Sequence, residues 1–146
     1  MTASVEESRA AVALAKKTGL KLMVSFFELF LPPVERARQI IDQGLIGDPF
    51  FFKAIMAWHT PDVTAGWRFD PALAGGGVIL DGNVHHVSNA LYLLGDPKVQ
   101  SVYAEYGALT ADIKVEDTAV ILVRTDKAIL EISGSNRLQE PGGATM

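Results

Sequence analysis

Cysteine is absent from the 146 residues, which excludes disulfides, thiolate nucleophiles and cysteine-held zinc or iron, and fits a reducing interior. Histidine is scarce, with three copies, so any imidazole chemistry must come from His59, His85 or His86. Positive charge is not in excess. Thirteen (13) Lys and Arg stand against 17 Asp and Glu, a formal net charge of -4, and no basic stripe would track a nucleic-acid backbone. Nucleic acid is therefore not an expected partner. Long hydrophobic runs are missing as well: the stretch Leu22 to Val34 is broken by Glu28, Pro32 and Pro33, short of the roughly 20 residues that span a bilayer. No membrane role is expected, and with no secretion signal ahead of that stretch the expected location is the cytoplasm. Nucleotide fingerprints are lacking too, since neither G-x-G-x-x-G nor G-x-x-x-x-G-K-[ST] occurs.

What is present is a globular composition, 49% hydrophobic and 21% charged in 15.7 kDa, enough for one domain with a sizeable core. Ser4 followed by Glu7 makes a capping-box pattern, and Val5, Ala11, Val12, Leu14 and Ala15 recur at helical spacing up to Gly19, which predicts a helix from about 5 to 18. The run Lys21 to Phe26 reads as a buried strand of an α/β unit whose neighbouring strands lie upstream. Pro32 and Pro33 open a second amphipathic helix that Gly44 stops. Phe50 to His59 reads as a covered strand and residues 60 to 75 as a long surface loop. A third helix is expected from Val78 to Leu94. Val99 to Tyr106, Glu116 to Thr125 and Lys127 to Ser135 alternate as strands, the last two joined by a tight turn at Asp126-Lys127. Residues 138 to 146 read as a frayed tail.

Asp81 and His85 are four residues apart and share one helix face, which Ser88, Asn89 and Tyr92 continue. An imidazole titrates near neutrality and can take a hydroxyl proton, while a carboxylate one turn away can orient a substrate. A simple surface ion pair is the alternative at that spacing. A metal site from His59, Asp81, His85 and His86 is not expected, because adjacent helical residues such as His85 and His86 diverge by about 100°. A serine triad through Ser88 lacks the G-x-S-x-G elbow. Gly75-Gly76-Gly77 reads as a tight joint into the helix rather than a phosphate cradle. Trp67-Arg68 pairs an aromatic plate with a forked cation, suited either to lining a polar pocket or to anchoring its loop.

The ordered set Gly66-Trp67-Arg68, then Pro71-Ala72-Leu73-Ala74-Gly75-Gly76-Gly77, then Asp81-x-x-x-His85, resembles the glucose-fructose oxidoreductase / inositol dehydrogenase / rhizopine-catabolism (Gfo/Idh/MocA) family of NAD(P)-dependent oxidoreductases. The likeness runs from about Val5 to Arg137. It implies a two-part parent with an N-terminal Rossmann domain for the nicotinamide and a C-terminal substrate domain. This chain resembles the second part. The fold implied is α+β: an open, mainly antiparallel sheet with helices packed on one face, preceded by a leftover helix-strand unit. Residues 1–26 would be the Rossmann remnant, 27–137 the substrate domain, truncated at its C-terminal end, and 138–146 a flexible tail.

By the same resemblance His85 is the acid/base, working with a lysine of the absent half, and Asp81 positions the substrate. Trp67, Arg68 and Asn89 are expected to contact substrate. NAD or NADP would serve the full-length parent, with no cofactor or metal expected on this chain. The resemblance implies a sugar- or polyol-like substrate, a homodimer through the sheet face, and no activity from the chain alone. Asn83 stands where the family motif has glycine, Ser88 where a second aspartate is common, and Glu28 near a position often basic. These departures keep open a non-catalytic small-molecule-binding or interaction module.

Overall fold

The computed structural model describes residues 2–58, 66–109 and 113–137. Helix α1, Val5–Thr18, starts as its capping pattern predicts: Ser4 accepts a hydrogen bond from the Glu7 amide, and the Glu7 carboxylate reaches back to the amide of Ala3. It ends at Gly19 in the left-handed region, and none of its residues is buried. Helix α2, Pro32–Asp42, opens on the two prolines, whose missing N–H groups cost nothing in a first turn.

The segment between them differs from expectation. Lys21 to Phe26 form no strand, and only a single 3-10 turn, Phe27–Phe30, interrupts an otherwise irregular path into α2. An apolar run becomes a strand only beside another strand that can pair its amides and carbonyls, and the described residues offer it none.

Four strands form one open sheet in the order β1-β4-β3-β2, with β1 Phe51–Ala57, β2 Val99–Gly107, β3 Thr118–Thr125 and β4 Ile129–Ser135. Strands β2, β3 and β4 are antiparallel neighbours, and β1 joins β4 in parallel with Phe51 opposite Ile129. The β3–β4 hairpin closes where Asp126-Lys127 predicts it. The buried Thr125 hydroxyl donates to the Ala128 carbonyl and accepts from the amides of Lys127 and Ala128. His59 and the tail 138–146 lie outside the described residues.

Helices cover one face of the sheet. Phe52, Val123 and Leu130 point toward that layer and pack with Ala90 of α4, Val84–Leu93, and with Leu94, which caps it. Ile121 and Ile132 are buried on the same side. The opposite face carries Phe51, Ile55, Val120, Leu122, Tyr103 and Ile129, all exposed. One cross-strand ion pair, Lys53 to Glu131 at 2.7 Å, interrupts it. The alternation follows from the two-residue period of strands. The α+β architecture with an open, mainly antiparallel sheet and helices on one side is the one expected. Among the described residues no helix is long and apolar enough to cross a membrane.

Of the loop expected over residues 60 to 75, residues 60–65 lie outside the described residues, and the part from Gly66 is more ordered than a surface loop. Gly66 leads into a 3-10 turn, Trp67–Phe69, and a one-turn helix α3, Pro71–Ala74, capped by the Asp70 carboxylate on the Ala72 amide. Gly77 then meets the strand region directly. A Cβ there would lie 1.9 Å from the Glu116 carbonyl oxygen, which accepts from the Val78 amide at 2.9 Å. No side chain fits that joint. Gly77→Ala should therefore lower unfolding free energy in urea by about 3 kcal/mol or more. Gly47→Ala, with open space around it but φ +69, should lose only about 1 to 2 kcal/mol. Similar losses in the two variants would contradict the close approach.

Candidate active site

Asp81 and His85 are delivered by two kinds of helix. Ile79–Asn83 forms a single π turn, and α4 continues from it without a break. The spacing argument predicts a uniform helix from Val78, and the wider turn arises where the chain docks on Glu116. Its carboxylate accepts from the Ile79 amide at 3.1 Å while its carbonyl takes the Val78 amide, so one residue satisfies two of the helix's otherwise free donors. Such turns recur at functional sites. Sequence reasoning does not single out Glu116, because its partner is 37 residues away and no local pattern marks it.

Asp81 and His85 both face a cleft of about 560 Å³. Trp67, Arg68, Leu73 and Leu80 line it with them, as do Val24, Ser25 and Phe26. Four of the five expected site residues thus come together: His85, Asp81, Trp67 and Arg68. Arg68 stacks over the Trp67 ring at 4.5 Å and its Nε lies 3.6 Å from Asp81 Oδ1. Both partners are about half exposed, so the pair is an orienting contact and contributes little to stability. Asn89 is not among the residues lining the cleft. Its side-chain nitrogen donates to Glu28 Oε2 at 2.8 Å.

The His85 ring is held by packing. Phe26 and Phe27 lie against it at steep ring angles, with centroid distances of 5.9 and 5.8 Å, and its Nδ1 is buried with no hydrogen-bond partner among the described residues. Asn83, at the position where the family motif has glycine, is fully buried against β4: a Cβ on Gly134 would lie 2.2 Å from its Oδ1. The larger side chain is accommodated because β4 has none there.

The glycine run is filled by protein. A Cβ on Gly75 would meet the Ala3 backbone at 2.7 Å, one on Gly76 would meet Leu80 and the Glu116 carboxylate at 3.3 Å, and Gly77 is closed by the Glu116 carbonyl. These glycines form a packing joint and leave no cradle for a diphosphate. Among the described residues, this joint does not fit a dinucleotide's phosphates. Among the described residues no cluster of His, Asp or Glu could hold a metal ion either.

The GFO/IDH/MocA C-terminal domain family matches residues 34–144. The chain belongs to this family. Relatives agree: the oxidoreductase YrbE of Bacillus subtilis is 28% identical over 92% of this chain and 39% of its own length. The scyllo-inositol 2-dehydrogenase (NAD(+)) of Bacillus subtilis is 37% identical over 65% of this chain and 26% of its own length. Among solved structures, GenD2 from gentamicin A biosynthesis, in complex with NAD, superposes with a TM-score of 0.85 at 26% identity, covering 94% of this chain and 40% of GenD2. An aldose-aldose oxidoreductase from Caulobacter crescentus, complexed with glycerol, has the same fold, with a TM-score of 0.86 at 24% identity over 94% of this chain and 42% of that one. The chain spans about 39% of the relative YrbE. This GFO/IDH/MocA domain is thus similar to parts of sugar and polyol dehydrogenases.

His86, next to His85 on α4, is half-buried. Desolvation by burial pushes its pKa below the ordinary 6.5, outweighing the attraction of Glu28, and the charge of His85 pushes the same way as burial. The unfolded chain therefore binds more protons than the folded one as pH drops below 6.5, and stability falls with pH over that window. In urea titrations from pH 7.5 to 5.5, His86→Gln should flatten that fall. An unchanged slope would show that His86 titrates alike in both states.

Proposed function

We propose that this chain is the substrate-binding and dimerisation domain of an NAD(P)-dependent oxidoreductase acting on a sugar- or polyol-like hydroxyl. On its own the domain is inactive. The observation that carries the reading is that His85 and Asp81 share one cleft with Trp67 and Arg68. Oxidation of a secondary alcohol needs a base for the hydroxyl proton and an acceptor for the hydride. The acceptor, NAD or NADP, would belong to the parent's other half, and no residue of this chain is assigned to it.

His85 is the proton-handling group. Its imidazole lines the cleft with Phe26 and Asp81, and it can accept a hydroxyl proton as oxidation proceeds or return it in reduction. Asp81 is the positioning carboxylate: it can accept a hydrogen bond from a neighbouring hydroxyl while the Arg68 contact keeps it turned into the cleft. The Trp67 face suits the C–H side of a sugar ring, with the stacked Arg68 donating to ring hydroxyls.

Residues 1–26 read as the remnant of the nucleotide-binding half. That assignment is supported by the apolar residues that α1 and the following segment leave exposed, among them Val5, Leu14, Leu20 and Met23. Dimerisation is assigned to the uncovered sheet face, whose exposed Phe51, Ile55, Leu122 and Ile129 form an apolar field of the kind that seeks a partner. A cytoplasmic location fits the absence of cysteine.

Two experiments test the reading. In the full-length parent, His85→Ala should keep the fold and lower kcat by about 10²- to 10⁴-fold, whereas unchanged turnover would remove His85 from the mechanism. Calorimetry of the 146-residue chain with NAD and NADP should show no binding at micromolar concentrations, and tight binding would overturn the assignment of the cofactor to the other half.

A further inference from the structure

Few hydrogen bonds tie the path from Gly19 to α2 to the rest of the described residues. Among the described residues, the hydrogen bonds of residues 20 to 31 stay within the segment or reach its flanking helices, with one exception: Asn89 Nδ2 to Glu28 Oε2 at 2.8 Å. That bond crosses 61 residues of sequence and joins the 3-10 turn Phe27–Phe30 to α4. Asn89 is four residues beyond His85, one helical turn along the same face.

Phe27 precedes Glu28 directly and Phe26 lies one residue further back. Both rings pack against the His85 imidazole, at interplanar angles of 82° for Phe26 and 64° for Phe27. A histidine that does proton transfer usually has its ring set by a hydrogen bond on the nitrogen not in use. His85 Nδ1 is buried and makes none among the described residues. Orientation therefore falls to the two rings, and the rings depend on whatever pins their turn to α4.

We propose that Glu28 is a positioning residue for His85, acting through its bond with Asn89 to hold Phe26 and Phe27 against the imidazole. The proposal rests on the reading of His85 as the proton-handling group and gives Asn89 an indirect role in the same site. The charged and titratable groups around His85 are Asp81, one turn back on the same continuous helix, Arg68, which lines the same cleft, and the adjacent His86. None of these can replace the aromatic bracket, because none restrains Nδ1.

The test is NMR on the 146-residue chain, reading nuclear Overhauser contacts between the His85 ring and the Phe26 and Phe27 rings, together with the His85 side-chain rotamer from three-bond couplings. Glu28→Ala and Asn89→Ala should each lose those contacts and average the rotamer, with the fold retained. Glu28→Gln keeps the acceptor oxygen and should restore both signals. Retained contacts in folded Glu28→Ala and Asn89→Ala would overturn the proposal, and so would failure of Glu28→Gln to restore them. If Glu28→Ala does not fold, Asn89→Ala decides, and loss of fold in both would make the bond a pillar of the fold rather than of the imidazole. No turnover is measured, so this outcome is separate from the fate of His85→Ala in the parent.

Discussion

The structure turns on the contact between Gly77 and Glu116. There the loop carrying Trp67 and Arg68 meets the segment that leads into β3, and the helix carrying Asp81 and His85 begins. The Glu116 carbonyl occupies the space of a missing side chain on Gly77, while its carboxylate and carbonyl take the Ile79 and Val78 amides. Backbone packed this closely cannot slide, because any shift breaks hydrogen bonds or drives atoms together. The joint thereby fixes the direction in which the π turn and α4 leave the sheet, and with it the side on which the carboxylate and the imidazole emerge.

Around that joint the molecule divides its labour. The sheet and the buried face of α4 make the core, with Leu130, Ile132 and Ala90 almost wholly inaccessible. The cleft lies beyond the core, between α4 and a connecting segment that has no regular structure. A scaffold with rigid strands and a loosely held wall is a common way to build a site that must admit and release a small molecule. The departure at Asn83 fits the same scheme: a buried amide faces a glycine on β4, and Asp81 and His85 still open into the cleft.

Much of this was legible in the sequence where the signal is local. The capping pattern at Ser4 and Glu7, the prolines opening α2 and the turn at Asp126-Lys127 each act through neighbours a few residues away, and each appears as expected. The spacing of Asp81 and His85 also carried over to a shared cleft. Lys21 to Phe26 misled because apolar composition describes a strand's faces and says nothing of whether another strand lies beside it. The π turn, the parallel pairing of β1 with β4 and the Asn89–Glu28 bond were not legible, since each depends on a partner far along the chain. The role of Glu116 has no local signature for the same reason.

We propose above all that the cleft beside His85 is where a polyol hydroxyl reacts. A crystal structure of the full-length parent with nicotinamide cofactor and a bound polyol tests it most directly. The reacting hydroxyl should lie within about 3 Å of a His85 ring nitrogen, with the polyol ring against Trp67 and a neighbouring hydroxyl on Asp81. A polyol bound elsewhere, or a hydroxyl and nicotinamide meeting out of reach of His85, would contradict it.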